Sequence, residues 1–198
     1  MSKRLILIPR WAGTPKSDWY PWLERELAKS PARSFDPVVM AAMPHPELPT
    51  IEEWVPRVQS LVGSEPELAA RTVVAAHSVG CQAVLRALAG MPSGTRVDGL
   101  LFVAGWFHTD EPWPSLMPWI ETPLDLAKVK AAAGKIVVVI SDNDHHRSDW
   151  RSNRLEWEDR LGAAVVLVSG ADHFNGVQYP EILQSLAAFA GKEDHVSR

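Results

Sequence analysis

Six short apolar runs rich in β-branched residues punctuate the chain, at Leu5–Ile8, Val38–Ala41, Thr72–Ala76, Gly99–Val103, Ile136–Ile140 and Val165–Val168. Most are continuously apolar rather than alternating, the pattern of strands buried on both faces. Between them apolar positions return every three or four residues, as on helices with one buried side. The spacing predicts a helix capped by Ser17-Asp18 that carries Trp19, Trp22, Leu23 and Leu27. Thr50 and Glu53 have capping-box spacing ahead of a second helix through Trp54, Val58 and Leu61, with a kink expected at Pro56. Further helices are predicted over Ser78–Ala89, Trp150–Leu161 and Tyr179–Ala190.

Strands that alternate with helices imply a parallel sheet with right-handed crossovers, and ligands of such sheets bind beyond the carboxyl ends of the strands. One stretch breaks the rhythm. Gly105–Asp125 holds Trp106, Trp113, Trp119 and four prolines just after a strand end, and is expected to wall a substrate pocket.

Composition narrows the class. The 198 residues are 46% hydrophobic and 22% charged, which suits one globular domain, expected over residues 1–190 with a polar tail at 191–198. A net charge of −4 offers no basic footprint for nucleic acid. The opening run Leu5-Ile6-Leu7-Ile8 is too short for a signal-peptide core or a membrane span. A lone Cys81 excludes an internal disulfide and a cysteine-built metal cage, so the expected setting is the cytoplasm.

The candidate chemistry begins at Ala76-His77-Ser78-Val79-Gly80, between a predicted strand and a predicted helix. This is a nucleophile-elbow pattern, in which a serine on a sharp turn needs small residues two places before and after. Ala76 and Gly80 meet that demand. A serine that merely caps the next helix would look the same, so the context decides. After the fifth strand comes Ser141-Asp142-Asn143-Asp144, and after the sixth comes Gly170-Ala171-Asp172-His173-Phe174. A serine hydroxyl is a poor nucleophile until an imidazole accepts its proton and an acid orients that imidazole. Ser78, an acid at Asp142 or Asp144, and His173 therefore converge on one rim of the sheet. Their order along the chain is that of α/β-hydrolases. Asp172 is expected to face solvent or sit in a turn, and His77 and Cys81 to serve packing.

Trp19-Tyr20-Pro21-Trp22-Leu23, Met43-Pro44, Trp54-Val55-Pro56, His77-Ser78-Val79-Gly80, Asn143-Asp144 and His173-Phe174 stand in that order along the chain. In these residues it resembles the small serine hydrolases grouped with retinoblastoma-binding protein 9 and the bacterial YdeN-type proteins. The resemblance implies a compact α/β-hydrolase fold, a three-layer sandwich of about six parallel strands without a large cap. It also implies a triad of Ser78, Asp144 and His173, with an oxyanion hole from the backbone N–H groups of Val79 and Trp11. Three positions depart from the family pattern. Ala76 replaces the first elbow glycine, His145 stands where proline follows the acid, and Arg10 replaces a first-loop glycine.

The expected activity is hydrolysis of a small ester or amide by a monomer or homodimer, without cofactor, metal, nucleic acid or membrane. Two rivals remain. One is a non-catalytic protein-binding module on the same fold, although no Leu-x-Cys-x-Glu motif is present. The other is a metal centre built from Asp142, Asp144, His145 and His146, which adjacent residues rarely form.

Overall fold

The computed structural model describes residues 2–29 and 34–190; the expected tail at 191–198 lies outside them. Six strands form one parallel sheet: β1 (Lys3–Ile8), β2 (Phe35–Met40), β3 (Thr72–His77), β4 (Val97–Val103), β5 (Ala133–Ser141) and β6 (Ala164–Val168). Their spatial order is β2-β1-β3-β4-β5-β6, so the chain reverses direction across the sheet after β2. The helices are α1 (Tyr20–Lys29), α2 (Ile51–Val62), α3 (Pro66–Ala69), α4 (Val79–Ala89), α5 (Met117–Glu121), α6 (Leu126–Ala132), α7 (Trp150–Leu161) and α8 (Pro180–Ala187).

Alternation along the central strands sends successive side chains to opposite faces, which creates two cores. Ile6, Ile8, Val74, Ala76, Leu100, Phe102, Val138 and Ile140 pack with Trp54 and Val58 of α2, Val84 and Leu88 of α4, Val129 of α6 and Trp157 of α7. Leu5, Leu7, Val73, Ala75, Leu101, Val103, Val137 and Val139 pack on the other face with Leu23 of α1 and Ile182 and Leu186 of α8. This is the three-layer α/β-hydrolase architecture. No helix among the described residues is long and apolar enough to cross a membrane.

Several local expectations change. The β6 run is not buried on both faces, because it lies at the sheet margin and exposes Leu167. Pro37, outside the predicted strand, is accommodated in β2 at the opposite margin, where a missing N–H costs no ladder bond. Ser17-Asp18 does not cap α1: the Ser17 hydroxyl accepts the Thr14 N–H at 3.0 Å, and Asp18 pairs with Arg10. Thr50 occupies the N-cap position of α2 without a side-chain bond, and Glu53 meets His45 at 2.9 Å instead of closing a capping box. In both cases the acidic side chain bonds a residue eight positions earlier, Arg10 or His45, rather than the helix end. Pro56 lies inside α2, which continues to Val62.

Phe102 is fully buried at the sheet centre, 5.4 Å from the ring of Trp157. Phe102→Ala should therefore cost about 3–5 kcal/mol. A urea titration followed by tryptophan fluorescence would show it as a lowered midpoint.

Candidate active site

The central strand β3 runs directly into α4, and Ser78 is the single residue between them. Its backbone takes φ 54° and ψ −123°, a conformation that side-chain-bearing residues seldom adopt. Hydrogen bonds hold the turn from both sides: the Ser78 N–H donates to Val103 O at 2.9 Å, and Cys81 N–H donates to Ser78 O at 2.9 Å. Gly80 is required by close approach rather than by φ. A Cβ there would lie 2.5 Å from the carbonyl oxygen of Pro9 and 2.9 Å from that of Ile8. The first turn of α4 is thus pressed against the loop that follows β1.

The Ser78 hydroxyl lies 2.8 Å from His173 Nε2. On the other edge of that ring, Nδ1 lies 2.8 Å from Asp144 Oδ2 and 3.0 Å from Oδ1. All three residues are less than a tenth exposed. A carboxylate can only accept, so Nδ1 carries the proton and Nε2 is left to receive one from the hydroxyl. Asp144 Oδ1 is further fixed by the His146 N–H at 2.9 Å.

Four consecutive residues, the last of β5 and the three after it, bind the histidine loop. Ser141 Oγ accepts the Ala171 N–H at 3.1 Å, Asp142 accepts the Gly170 N–H at 2.8 Å, and Asn143 accepts the Asp172 N–H at 2.9 Å. Asp144 then meets His173 itself. Asp142 also accepts from the Ser169 hydroxyl at 2.7 Å, and these bonds hold its carboxyl below the usual range. Local pattern allowed either Asp142 or Asp144 as the acid and the family resemblance favoured Asp144; in space Asp142 clamps the loop, and Asp144 reaches the imidazole. Asp172 lies in a turn with its side chain half-exposed, as expected, and His145, 2.6 Å away, lowers its pKa. Of the side chains considered as a metal cluster, Asp142, Asp144 and His145 each bond a different partner, and the His146 ring lies 4.0 Å from that of His145.

His77 does more than pack. Its Nε2 donates to the carbonyl oxygen of His173 at 2.8 Å, which leaves Nδ1 to accept from the Tyr20 hydroxyl at 2.8 Å. Tyr20 in turn accepts the Arg10 N–H at 3.1 Å. Burial, and the nearby His173, hold the His77 pKa well below the ordinary histidine value. This buried relay ties the first loop, the elbow strand and the His173 loop together. Sequence reasoning missed Tyr20 as a member; its place in the family-like Trp19-Tyr20 pair was the available signal.

A cavity of about 240 Å³ opens above Ser78 and His173. Its wall includes Trp11, Val79, Trp106, Trp113 and Leu116, with Arg10 and His146 as polar members. The Trp11 and Val79 N–H groups have no acceptor among the described residues, whereas the neighbouring Arg10 and Ala12 N–H groups are both taken. Of the three tryptophans expected here, Trp119 is absent from this wall. It is buried on the far side of the segment, where its indole N–H donates to Pro49 O at 3.1 Å. The reason is a polar anchor invisible in the pattern. Arg86 of α4 donates to the carbonyls of Trp119 and Thr122, each at 2.8 Å, and Gln82 bonds that of Trp106.

Comparison with known proteins places this geometry in context. The profile of the serine hydrolase family matches residues 5–187. The YdeN protein of Bacillus subtilis (strain 168), whose name assigns it provisionally to the hydrolases, is 25% identical over 98% of this chain and 99% of its own length. The crystal structure of the B. subtilis ydeN product superimposes with a TM-score of 0.81, at 24% identity, over 96% of this chain and 100% of that one. A structure from work on carboxylesterases of Nitrososphaera gargenis gives a TM-score of 0.65 at 12% identity, over 95% of this chain and 89% of that one.

The buried neutral His77 makes stability depend on pH. Its folded pKa is depressed, so below about pH 6.5 the unfolded chain binds a proton that the folded chain refuses. Stability should fall as pH drops through that point, by up to about 1.4 kcal/mol per pH unit for this group. Urea midpoints between pH 7.5 and 5 would check it, with a shallower slope expected in His77→Gln.

Proposed function

Because the chain belongs to the serine hydrolase family, we propose that it cleaves a small ester or amide through an acyl-enzyme on Ser78. The observation that carries this reading is the unbroken hydrogen-bond chain from Ser78 Oγ through His173 to Asp144, opening on one cavity. Ser78 Oγ attacks the substrate carbonyl while His173 Nε2 takes its proton, and Asp144 stabilises the imidazolium. The N–H groups of Val79 and Trp11 receive the oxyanion, supported by their shared place on the cavity wall and their lack of other acceptors among the described residues. The helix N-terminus of α4 adds a favourable dipole beside that negative charge. His173 then protonates the leaving group, and water activated by the same imidazole releases the acid.

The departures from the family pattern fit this reading. Ala76 is fully buried behind the turn, and its methyl is accommodated. Arg10 is fixed by Asp18, which accepts from Nε at 2.7 Å and Nη2 at 2.9 Å, while its Nη1 donates to the carbonyl oxygen of Trp11 at 2.7 Å and so braces the first loop. The indole faces of Trp106 and Trp113 with Leu116 favour an apolar or aromatic acyl group.

Ser78→Ala should abolish both labelling by a fluorophosphonate and turnover of activated esters. Asp144→Asn should lower kcat by about 10³–10⁴-fold, since it would stabilise the wrong tautomer of His173. Asp142→Asn, which only loosens the loop clamp, should cost far less. Active-site titration with steady-state kinetics on the three variants would test the assignment, and equal losses at the two aspartates would count against it.

A further inference from the structure

His146 belongs to none of the roles assigned so far, yet it borders the reacting atoms. Its ring stands edge-on to that of His173, with centroids 4.5 Å apart and planes at 81°. It lines the same cavity as Ser78. Trp113 lies 5.9 Å from it and 5.2 Å from Trp11, so one aromatic arc runs from the first loop to the base. The backbone of His146 is fully engaged: its N–H binds Asp144 and its carbonyl accepts the Asp110 N–H at 3.0 Å. Its ring nitrogens have no hydrogen-bond partner among the described residues. A half-buried imidazole, fixed by its backbone and free at its ring, is poised to contact a ligand.

The chemistry of the cycle says which part of the ligand. During acylation the Ser78 Oγ–carbonyl bond forms, the bond from that carbonyl to the leaving oxygen or nitrogen breaks, and His173 passes the serine proton to the departing atom. The leaving group must therefore depart on the His173 side of Ser78, where His146 stands. The tryptophans and Leu116 remain for the acyl group. Resting on the acyl-enzyme reading above, we infer that His146 is a specificity residue for the leaving group. It selects esters or amides whose departing alcohol or amine carries a neutral hydrogen-bonding group, such as a second hydroxyl or an amide. Burial and the adjacent His173 and His145 favour the uncharged imidazole, which offers one donor and one acceptor to such a group.

A matched pair of substrates tests this: the glycerol monoester and the propyl ester of butyric acid, which share an acyl-enzyme and differ only in the leaving alcohol. The wild-type protein should prefer the glycerol ester in kcat/KM by about tenfold, the worth of one neutral hydrogen bond. His146→Phe, which keeps a flat ring, should erase that preference by lowering the glycerol ester alone, and His146→Asn should restore part of it. The decay of the common butyryl-enzyme, measured in parallel, gives the effect of each variant on the base itself, and the ratio of the two esters is read against it. Equal loss on the two esters, or no preference in the wild-type protein, would each overturn the inference. If Ser78 accepts a fluorophosphonate but neither ester is cleaved, the proposed leaving-group class is wrong and the nucleophile stands. If Ser78 takes no fluorophosphonate, the hydrolase reading itself fails.

Discussion

An imidazole can face a serine hydroxyl reliably only if its opposite edge is held, and here the end of β5 and the loop that follows it supply that hold. Ser141, Asp142 and Asn143 each bind a successive part of the His173 loop, and Asp144 receives the ring. These bonds fix the loop backbone first, so that the last of them needs to orient only one side chain. Each is individually modest in water, about 0.5–1.5 kcal/mol net. Acting on one short loop they remove its alternatives together. His77, from the strand behind, fastens the His173 carbonyl from the other side.

The same economy of movement governs the elbow. The strained Ser78 backbone is tolerated because β4 and the first turn of α4 both bind it, and because the surrounding side chains are buried. Gly80 allows α4 to touch the carbonyls of Ile8 and Pro9. Without that contact the N–H groups of Val79 and Trp11 would belong to separated elements. The site is thus assembled by packing of α4 on the end of β1 as much as by the three side chains that mark it.

Over this platform the tryptophan-rich segment is pinned rather than loose. The Gly105 carbonyl accepts from Asn153 at 3.0 Å and from the Trp157 indole at 3.2 Å, and Arg86 holds the far end. Arg86 is buried, and its hydrogen-bond acceptors are carbonyl and amide oxygens. Desolvation lowers its pKa accordingly. A guanidinium suits this place because its planar fork spans several acceptors at once.

The strands, the elbow and the rim position of Asp142, Asp144 and His173 could all be read from one dimension. Their signals are local: continuous apolar runs, small residues around a serine, polar residues just past strand ends. Helix caps misled, because Asp18 and Glu53 found partners eight residues away in sequence, Arg10 and His45. Trp119 misled because composition shows that a segment is aromatic but not which way each ring turns. Local pattern left Asp142 and Asp144 both open and the family resemblance favoured Asp144; the contact itself joins two loops whose residues are 29 positions apart. Sequence alone determined the fold class and the three residue types at the rim, since burial and periodicity act along the chain. Tertiary structure decided the pairing, the Tyr20–His77 relay and the cavity wall, since hydrogen bonds are made between neighbours in space.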